Sequence, residues 1–341
     1  MKNRRIVITR RGGPGVLKLV EEEIPEPEEG EVRVHVRAAG VAFADILMRE
    51  GLYPKAPAPP FTPGYDVVGI VDKPGEGVTG IEPGQMVAAL TKVGGYTDYI
   101  CLPQDDLVPV DGQLDAGQAV CLVLNYLTAY QMLHRVAHVT DGERMLVHGA
   151  AGGVGTALLQ LGALSSLEVY GTASSPKHQA VRELGGIPID YRKDDFVAKI
   201  RELTGKGVDV VFDPIGGRNW KRSFKTLRRG GRLVCYGFSS TISGGRRDFF
   251  RALRSAVEIP RFSPLAMIGK NLMVAGYNVA AMKARRPEWY RQDLETLFEL
   301  LAEEKIKPVI AERIWLEEAA RAHKLLGKGK VTGKIVLVCG A

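Results

Sequence analysis

The sequence lacks any run of about 18 or more apolar residues, the length that a membrane-spanning helix requires. Its first five residues lead into a short strand-like stretch at 6–8 and not into the apolar core of a signal peptide. The sequence therefore predicts a soluble, intracellular protein, with the cytoplasm as its compartment.

Cysteine is scarce, with four residues in 341, at positions 101, 121, 235 and 339, and no pair has C-x-x-C spacing. This spacing fits neither a structural zinc cluster nor a disulfide framework. His134 and His138 are four residues apart, but no third ligand lies near them in the sequence. We therefore predict no metal site, and we interpret these two histidines, with His178 and His323, as solvated or core residues.

The charge is moderately one-sided, since 46 Lys and Arg against 39 Asp and Glu give a net charge of +7. A positive field favours anionic ligands in general, and cofactor phosphates satisfy it as well as nucleic acid does. No alternation of aromatic and basic residues of the kind found in nucleic-acid-binding modules is visible. Nucleic acid is therefore not an expected partner.

What the sequence does contain is a glycine cluster at residues 149–155, between an apolar stretch at 145–147 and a helix-patterned stretch at 157–164. Gly152 would let the backbone approach a pyrophosphate, and Gly155 would let the helix pack closely on the strand. The amides at the helix start would hold the negative charge. Because Ala150 occupies the first glycine position of the motif, the prediction of a dinucleotide site depends on the flanking elements and on residues about 20 positions later.

Those later residues follow the next predicted strand, 167–172. A site for NAD usually has an acidic residue here that binds the ribose 2′-hydroxyl, and such a carboxylate would repel a 2′-phosphate. The sequence instead has Ser174, Ser175 and Lys177, which offer hydrogen-bond donors and positive charge. We therefore predict NADPH as the cofactor. The alternative is that Lys177 is an ordinary solvated side chain.

Length and composition allow two domains with full cores. The first 120 or so residues show short strands separated by glycine and proline, which is typical of a β-barrel-like domain. A bridging helix is predicted from about 118 to 136, and strands then alternate with helices, which indicates a doubly wound parallel sheet. Near the end of the chain the pattern predicts a helix at 292–304, a strand at 307–310, a helix at 316–326 and a strand at 334–338.

The spacer at 239–271 is unusually long for a compact domain. Within it, residues 246–257 have apolar side chains at helical spacing and arginines on the opposite face. The favoured interpretation is a helix packed on its own protein with the arginines in water. The other is a helix lying on an anionic membrane.

Several short motifs along the chain carry a resemblance to a known family. They are Ala39-Gly40-Val41, Ala44-Asp45, Gly51-Leu52-Tyr53, Thr62-Pro63-Gly64-Tyr65-Asp66, Gly94-Gly95-Tyr96, Leu127-Thr128-Ala129-Tyr130, the stretch 148–155 and Gly333-Lys334-Ile335-Val336. In this order and spacing they resemble the medium-chain dehydrogenase/reductase superfamily, and most of all its zinc-free quinone oxidoreductase (zeta-crystallin-like) branch, which includes vesicle amine transport protein-like members.

The resemblance implies an α/β fold in which a GroES-like β-barrel catalytic domain accompanies a Rossmann domain with a doubly wound parallel sheet. We expect residues 1–124 to form the first part of the catalytic domain, 125–279 the NADPH-binding Rossmann domain, and 280–341 the segment that completes the catalytic domain. The resemblance also implies a homodimer formed through the last Rossmann strand, predicted at 272–276.

Two positions depart from the zinc-dependent relatives, which have a cysteine at the position of Ala42 and a histidine at that of Tyr65. Neither alanine nor a phenol of normal pKa is a plausible zinc ligand. Alcohol oxidation would lose its Lewis acid, whereas hydride transfer to a quinone or an α,β-unsaturated carbonyl stays feasible. We therefore expect an NADPH-dependent, zinc-free reductase of quinones or activated alkenes.

In such an enzyme the protein orients the substrate and stabilises the oxygen on which charge develops. The candidate donors around the substrate are Tyr53, Tyr65 and Asn125, with Asp45 as an orienting carboxylate. The alternative for each tyrosine is a buried ring whose hydroxyl is already satisfied.

The resemblance also implies cofactor contacts at ten positions: Thr128, Ala151, Gly152, Gly153, Val154, Ser174, Lys177, Tyr191, Phe238 and Ser239. The four turn residues would bind the pyrophosphate and Ser174 with Lys177 the 2′-phosphate. Tyr191 would lie near the adenine side, and the remaining three near the nicotinamide half.

A second hypothesis comes from a different functional class. The basic stretch at 246–254 and the vesicle-type relatives would also fit an NADPH-binding protein that acts at a membrane surface, or as an interaction factor, with little catalysis.

Overall fold

The computed structural model describes residues 2–239, 242–243, 246–247 and 259–340. The chain forms two compact units. The first contains residues 1–127, 243–247 and 283–341, and the second contains residues 128–242 and 248–282. No helix among the described residues is long and apolar enough to cross a bilayer.

The strands, numbered in chain order, are β1 (Asn3–Ile8), β2 (Leu17–Glu22), β3 (Glu31–Val41), β4 (Asp66–Pro74), β5 (Met86–Leu90), β6 (Tyr99–Pro103), β7 (Val108–Val110), β8 (Arg144–His148), β9 (Glu168–Ala173), β10 (Gly186–Asp190), β11 (Val208–Asp213), β12 (Leu227–Cys235), β13 (Ile242–Ser243), β14 (Arg246–Arg247), β15 (Met273–Gly276), β16 (Ile310–Trp315) and β17 (Lys334–Val338).

The α-helices are Phe43–Glu50, Ala116–Cys121, Leu127–Gln131, Gly153–Leu164, His178–Glu183, Phe196–Thr204, Arg218–Thr226, Pro264–Ile268, Val279–Arg285, Pro287–Ala302 and Ala319–Gly327. Short 3₁₀ turns occur at Pro14–Val16, Gln104–Asp106, Ser175–Lys177 and Leu316–Glu318, and π turns at Leu122–Tyr126 and Met132–Val136.

The first unit is built on a seven-stranded sheet in which β16, β17, β3, β4, β5 and β7 follow one another and β6 also pairs with β3. All these pairs are antiparallel except the parallel pair β16 and β17. Strand β3 begins with strict alternation, since Val32, Val34 and Val36 are buried and the residues between them are partly exposed. The C-terminal strand β17 lies inside this sheet, so the end of the chain completes the first unit.

The second unit is a six-stranded parallel sheet in the order β10, β9, β8, β11, β12, β15. In strand β11 every residue is buried, as expected for a parallel strand covered on both faces. The order reverses between β8 and β11, and ligands of doubly wound sheets bind at the carboxyl ends of the strands at such a switch point. The predicted α/β class with a doubly wound parallel sheet is confirmed.

The structure differs from the sequence-based predictions at three places. The strand predicted at 307–310 is instead β16, Ile310–Trp315, an edge strand in which Ile314 alone is buried and the apolar and polar residues do not alternate regularly. The predicted bridging helix is helical from 116 to 136 but contains two π turns that the apolar periodicity did not reveal. Of the helix predicted at 246–257, Arg246 and Arg247 form β14 and the rest lies outside the described residues.

Candidate functional site

The glycine turn follows β8 directly and has the geometry of an anion cradle. Gly149 has a φ of +66°, which glycine adopts without strain, and the Gly152 amide donates to the Gly149 carbonyl at 2.8 Å. The helix Gly153–Leu164 then begins, with Gly152 as its N-cap and the Thr156 amide donating to the Gly152 carbonyl at 2.8 Å. The amides of residues 153–155 precede that bond, at the helix end where anions are bound.

Gly155 is required at its position because a Cβ there would lie 2.3 Å from the Gly149 carbonyl oxygen. The helix therefore packs on the turn more closely than any other residue allows. Ala150 and Ala151 are buried in the same turn. The turn thus fits a dinucleotide pyrophosphate even though Ala150 replaces the first glycine of the motif.

The residues predicted to meet a 2′-phosphate share one turn after β9. The Lys177 amide donates to the Ser174 carbonyl at 2.8 Å, closing the 3₁₀ turn Ser175–Lys177. Burial and the nearby Arg192 guanidinium lower the pKa of Lys177, so two cations face one region. Tyr191 is about half exposed, and Arg192 lies 5.8 Å from the centre of its ring.

Asp190, the last residue of β10, was not predicted, because the acidic ribose ligand of dinucleotide sites is expected at the end of the second Rossmann strand and not of the third. Its carboxylate accepts hydrogen bonds from the Ser175 hydroxyl and, at 3.0 Å, from the Arg192 amide. The Ser175 hydrogen bond and then the Arg192 amide lower the pKa of Asp190. Asp190 thus positions Ser175 and Arg192.

Phe238 and Ser239 lie just after β12. The Ser239 amide donates to the Pro214 carbonyl at 3.0 Å, and the Phe238 ring packs against Trp220 at a centroid distance of 5.7 Å. The turns after β11 and β12 are therefore in contact at the carboxyl edge of the sheet. Thr128 is buried in the helix Leu127–Gln131.

In the first unit, Asp45 is the centre of a buried hydrogen-bond cluster. Its carboxylate accepts from the Ala42 amide at 2.8 Å, the Gly64 amide at 3.2 Å and the Tyr96 hydroxyl at 3.1 Å. Burial outweighs these hydrogen bonds and raises the pKa of Asp45 to about 7. Asp45 thereby ties the start of the helix Phe43–Glu50 to the turn that leads to Tyr65.

Tyr65 and Tyr53 form a hydroxyl pair next to that turn. Their oxygens lie 3.0 Å apart, and their rings pack edge to face. Tyr65 is buried, and burial together with the Tyr53 hydroxyl raises the pKa of its phenol above the ordinary value. Tyr65 fits the interpretation of a buried ring whose hydroxyl is already hydrogen-bonded. Tyr53 is only half-buried, which fits the interpretation of a donor to the substrate.

Asn125, the fourth catalytic candidate, lies in the π turn Leu122–Tyr126 and is 8% exposed. The cluster around Asp45 includes Tyr96, whose amide also donates to the Pro63 carbonyl at 2.9 Å in the turn that leads to Tyr65. Asn125 belongs to a separate element of the same unit.

The sequence analysis also missed a chain of buried polar residues behind Asp45. The Tyr96 hydroxyl lies 3.2 Å from Nε2 of His323, and Nδ1 of His323 lies 3.1 Å from the Arg49 guanidinium, which is paired with Glu50 at 2.5 Å. Burial and Arg49 lower the pKa of His323 to about 3, so its ring is neutral. The structure thus shows His323 as a buried, hydrogen-bonded core residue and not as a solvated one.

Metal-ligating side chains do not gather in the part of the chain that the structure describes, where no three His, Cys, Asp or Glu residues could hold one ion. At the two positions that distinguish the zinc-dependent relatives, Ala42 has no ligating atom and the Tyr65 phenol keeps its proton. Neither of these two side chains can therefore serve as a zinc ligand.

Comparisons with known proteins agree with this architecture. The family model of the alcohol dehydrogenase GroES-like domain matches residues 28–112, and that of the zinc-binding dehydrogenase matches residues 184–337. The synaptic vesicle membrane protein VAT-1 homolog of Homo sapiens is 33% identical over 342 residues, covering 99% of this chain and 86% of that protein.

The quinone oxidoreductase of Mus musculus is 32% identical over 344 residues, covering 98% of this chain and 97% of that protein. Among solved structures, the Escherichia coli quinone oxidoreductase complexed with NADPH superposes with a TM-score of 0.87 at 30% identity, covering 98% of this chain and 99% of that one.

Proposed function

Because the chain belongs to the medium-chain dehydrogenase/reductase superfamily, in the branch of the quinone oxidoreductases and VAT-1 homologues, we propose that it is an NADPH-dependent reductase of quinones or α,β-unsaturated carbonyls. The observations that carry the proposal are an anion-binding glycine turn in the second unit and, in the first unit, a tyrosine hydroxyl pair in which Tyr65 occupies the position of a zinc-ligating histidine of the zinc-dependent relatives. The chain is an oxidoreductase by family, and we propose quinones or α,β-unsaturated carbonyls as its substrate class.

NADPH is the cofactor. The glycine turn accommodates a pyrophosphate, and Lys177 and Arg192 supply positive charge beside the turn predicted to meet the 2′-phosphate. The similar Escherichia coli quinone oxidoreductase was solved with NADPH. We assign cofactor binding to residues 125–279, and substrate binding to residues 1–124 with 280–341.

When bound, NADPH supplies the hydride, so the chain's own residues need only orient the acceptor and stabilise its oxygen. Tyr53 donates from its half-buried hydroxyl, and Tyr65 holds that hydroxyl in place. Asp45 fixes the turn that carries Tyr65. Because burial raises the pKa of Tyr65, its phenol keeps its proton and stays a hydrogen-bond donor, and we propose that catalysis requires no zinc.

The proposal is tested by following NADPH oxidation with a panel of quinones and enones, before and after treatment with a zinc chelator. We expect turnover of at least one class, at a rate that the chelator leaves unchanged. A loss of activity that added zinc restores would contradict the zinc-free mechanism. A failure of NADPH to bind would contradict the cofactor assignment.

A second candidate function is favoured by the similar synaptic vesicle membrane proteins, namely an NADPH-binding protein at a membrane surface with little catalysis. The two functions are separated by sedimentation with anionic and neutral vesicles at low and moderate salt. Salt-sensitive binding to anionic vesicles without quinone turnover would support the second function, whereas turnover without vesicle binding would exclude it.

A further inference from the structure

A continuous set of buried, hydrogen-bonded polar side chains adjoins the glycine turn of the second unit. His148, the last residue of β8, has Nδ1 at 3.1 Å from the Thr172 hydroxyl and Nε2 at 3.0 Å from the Ser223 hydroxyl. The Ser223 hydroxyl donates to the Asp213 carboxylate at 2.6 Å. All four residues are at most 3% exposed.

The chemistry of these groups fixes the direction of every hydrogen bond. Burial, aided by the Arg222 guanidinium and opposed by Asp213, lowers the pKa of His148, so the imidazole is neutral and has one N–H. Because Ser223 gives its proton to Asp213, its oxygen accepts from Nε2–H of His148. Nδ1 is then the acceptor for the Thr172 hydroxyl.

The two ends of this set reach two different turns. At one end, the Gly149 amide donates to the Thr172 hydroxyl oxygen at 3.3 Å, and the Ala150 amide donates to the Thr172 carbonyl at 3.1 Å. Gly149 is the first residue of the glycine turn. The Thr172 hydroxyl thus holds Gly149, where the phosphate cradle begins, in position.

At the other end, the Asp213 carboxylate receives two further hydrogen bonds. The Ile215 amide donates at 2.7 Å and the Asn219 side-chain amide at 2.8 Å. Asp213 therefore holds the turn after β11. Since β8 and β11 are neighbours on either side of the switch point of the sheet, the set of side chains joins the two turns that flank it.

We propose that Thr172, His148, Ser223 and Asp213 form a directed hydrogen-bond chain that holds the two turns as one pre-formed cofactor cradle, with His148 as its central positioning residue. The proposal rests on the function proposed above. A pre-formed cradle binds more tightly because no ordering of the turn remains to be done when the cofactor arrives.

The same geometry excludes a hydrolytic role for these residues. In a nucleophilic triad the histidine takes the proton of the serine and is itself oriented by the acid. Here Ser223 lies between His148 and Asp213 and donates to the acid, so the histidine has no proton to take from it.

The test measures NADPH affinity by nicotinamide fluorescence in the full-length protein. Thr172→Val keeps the shape but removes the hydroxyl, Thr172→Ser keeps the hydroxyl, and Ser223→Ala interrupts the chain at its far end. We expect Thr172→Val and Ser223→Ala each to weaken NADPH binding about tenfold, the worth of one hydrogen bond of this kind. Thr172→Ser should stay within about threefold of the wild type.

A double variant distinguishes a chain from independent structural bonds. If one interruption already releases the cradle, the double variant Thr172→Val with Ser223→Ala should also bind NADPH only about tenfold more weakly than the wild type. Two independent effects would instead weaken NADPH binding about hundredfold. Additive losses, or wild-type affinity in both single variants, would overturn the chain while leaving NADPH binding established. Absence of NADPH binding in the wild type would overturn the proposed function and this inference with it.

Discussion

The hydroxyl oxygens of Tyr53 and Tyr65 lie 3.0 Å apart, and only the Tyr53 side chain reaches solvent to an appreciable extent. Tyr53 is therefore the member of the pair that can meet a substrate, while the buried Tyr65 orients it. We expect Tyr53→Phe to lower kcat/KM for quinone by about 100-fold, as the loss of an oxyanion donor does, and Tyr65→Phe by about tenfold. Steady-state kinetics with saturating NADPH measure both.

The matched control is Tyr99→Phe, since Tyr99 lies in the same unit with its ring stacked on His35 at 4.5 Å. This variant should keep wild-type kinetics. An equal decrease of kcat/KM in Tyr99→Phe and Tyr53→Phe would show that removal of any hydroxyl from this unit is harmful. It would contradict a specific role of Tyr53 and Tyr65.

A charge reversal at Lys177 should exchange the cofactor preference. Lys177→Glu replaces an attraction for the 2′-phosphate by a repulsion, so we expect the dissociation constant for NADPH to rise about 100-fold and that for NADH to change little. Fluorescence titration with both nucleotides measures the ratio of the two dissociation constants. Lys199→Glu, on the exposed face of the helix Phe196–Thr204, is the control and should leave the ratio unchanged.

The parts of the molecule that could be predicted from sequence are those set by local pattern. The strand Lys334–Val338 has the predicted bounds, because it is a short apolar pattern with clear ends. The glycine turn at 149–155 was also recognisable, since strand, turn and helix follow one another without interruption.

The contacts that give these residues their roles could not be predicted, because they join distant parts of the chain. Tyr96 is 51 residues from Asp45, and His323 is 227 residues from Tyr96. No local signal distinguishes His323 from a solvated histidine. The π turns were equally hidden, since an apolar helix has nearly the same periodicity with or without them.

Gly155 should tolerate no side chain, because a Cβ would lie 2.3 Å from the Gly149 carbonyl oxygen and 2.7 Å from Ala150. We expect Gly155→Ala to push the helix off the turn, to weaken NADPH binding at least tenfold and to lower the melting temperature. Gly276→Ala is the control, since a Cβ at Gly276 meets nothing within 4 Å. Wild-type affinity in Gly155→Ala would show that the turn adapts.

The stability of the protein should depend on pH through Asp45. Burial raises the pKa of Asp45 from 3.8 to about 7, so the folded chain holds a proton between these values that the unfolded chain releases. Asp45 therefore makes the free energy of unfolding rise as the pH falls from 7 towards 4, by at most about 1.4 kcal/mol per pH unit.

His323 acts in the opposite direction, since its lowered pKa means that the unfolded chain takes up the proton below about pH 6.5. Urea denaturation of the wild type and Asp45→Asn at pH 5.5, 6.5 and 7.5 isolates the carboxyl contribution as a difference. The wild type should gain stability relative to the variant as the pH falls. Parallel pH curves would contradict the raised pKa.

Removing one member of the ion pair of Lys334 and Asp66 should lower the stability of the protein strongly, whereas replacing both by apolar residues should change it little. Nζ lies 2.6 Å from Oδ2, and both side chains are at most 1% exposed. Burial raises the pKa of Asp66 although Lys334 acts against it, so the attraction of Lys334 does not fully offset the desolvation of the carboxylate. Lys334→Met leaves an isolated buried carboxylate and should lower the free energy of unfolding by about 3–5 kcal/mol.

The double variant Lys334→Met with Asp66→Leu decides whether the loss comes from the pair or from the carboxylate left behind. It removes both charges and retains the apolar volume, so its stability should return to within about 1–2 kcal/mol of the wild type. Urea denaturation of the three proteins at one pH measures the difference. A double variant as unstable as Lys334→Met would mean that the attraction itself stabilises the sheet at the contact of β17 with the neighbouring strands.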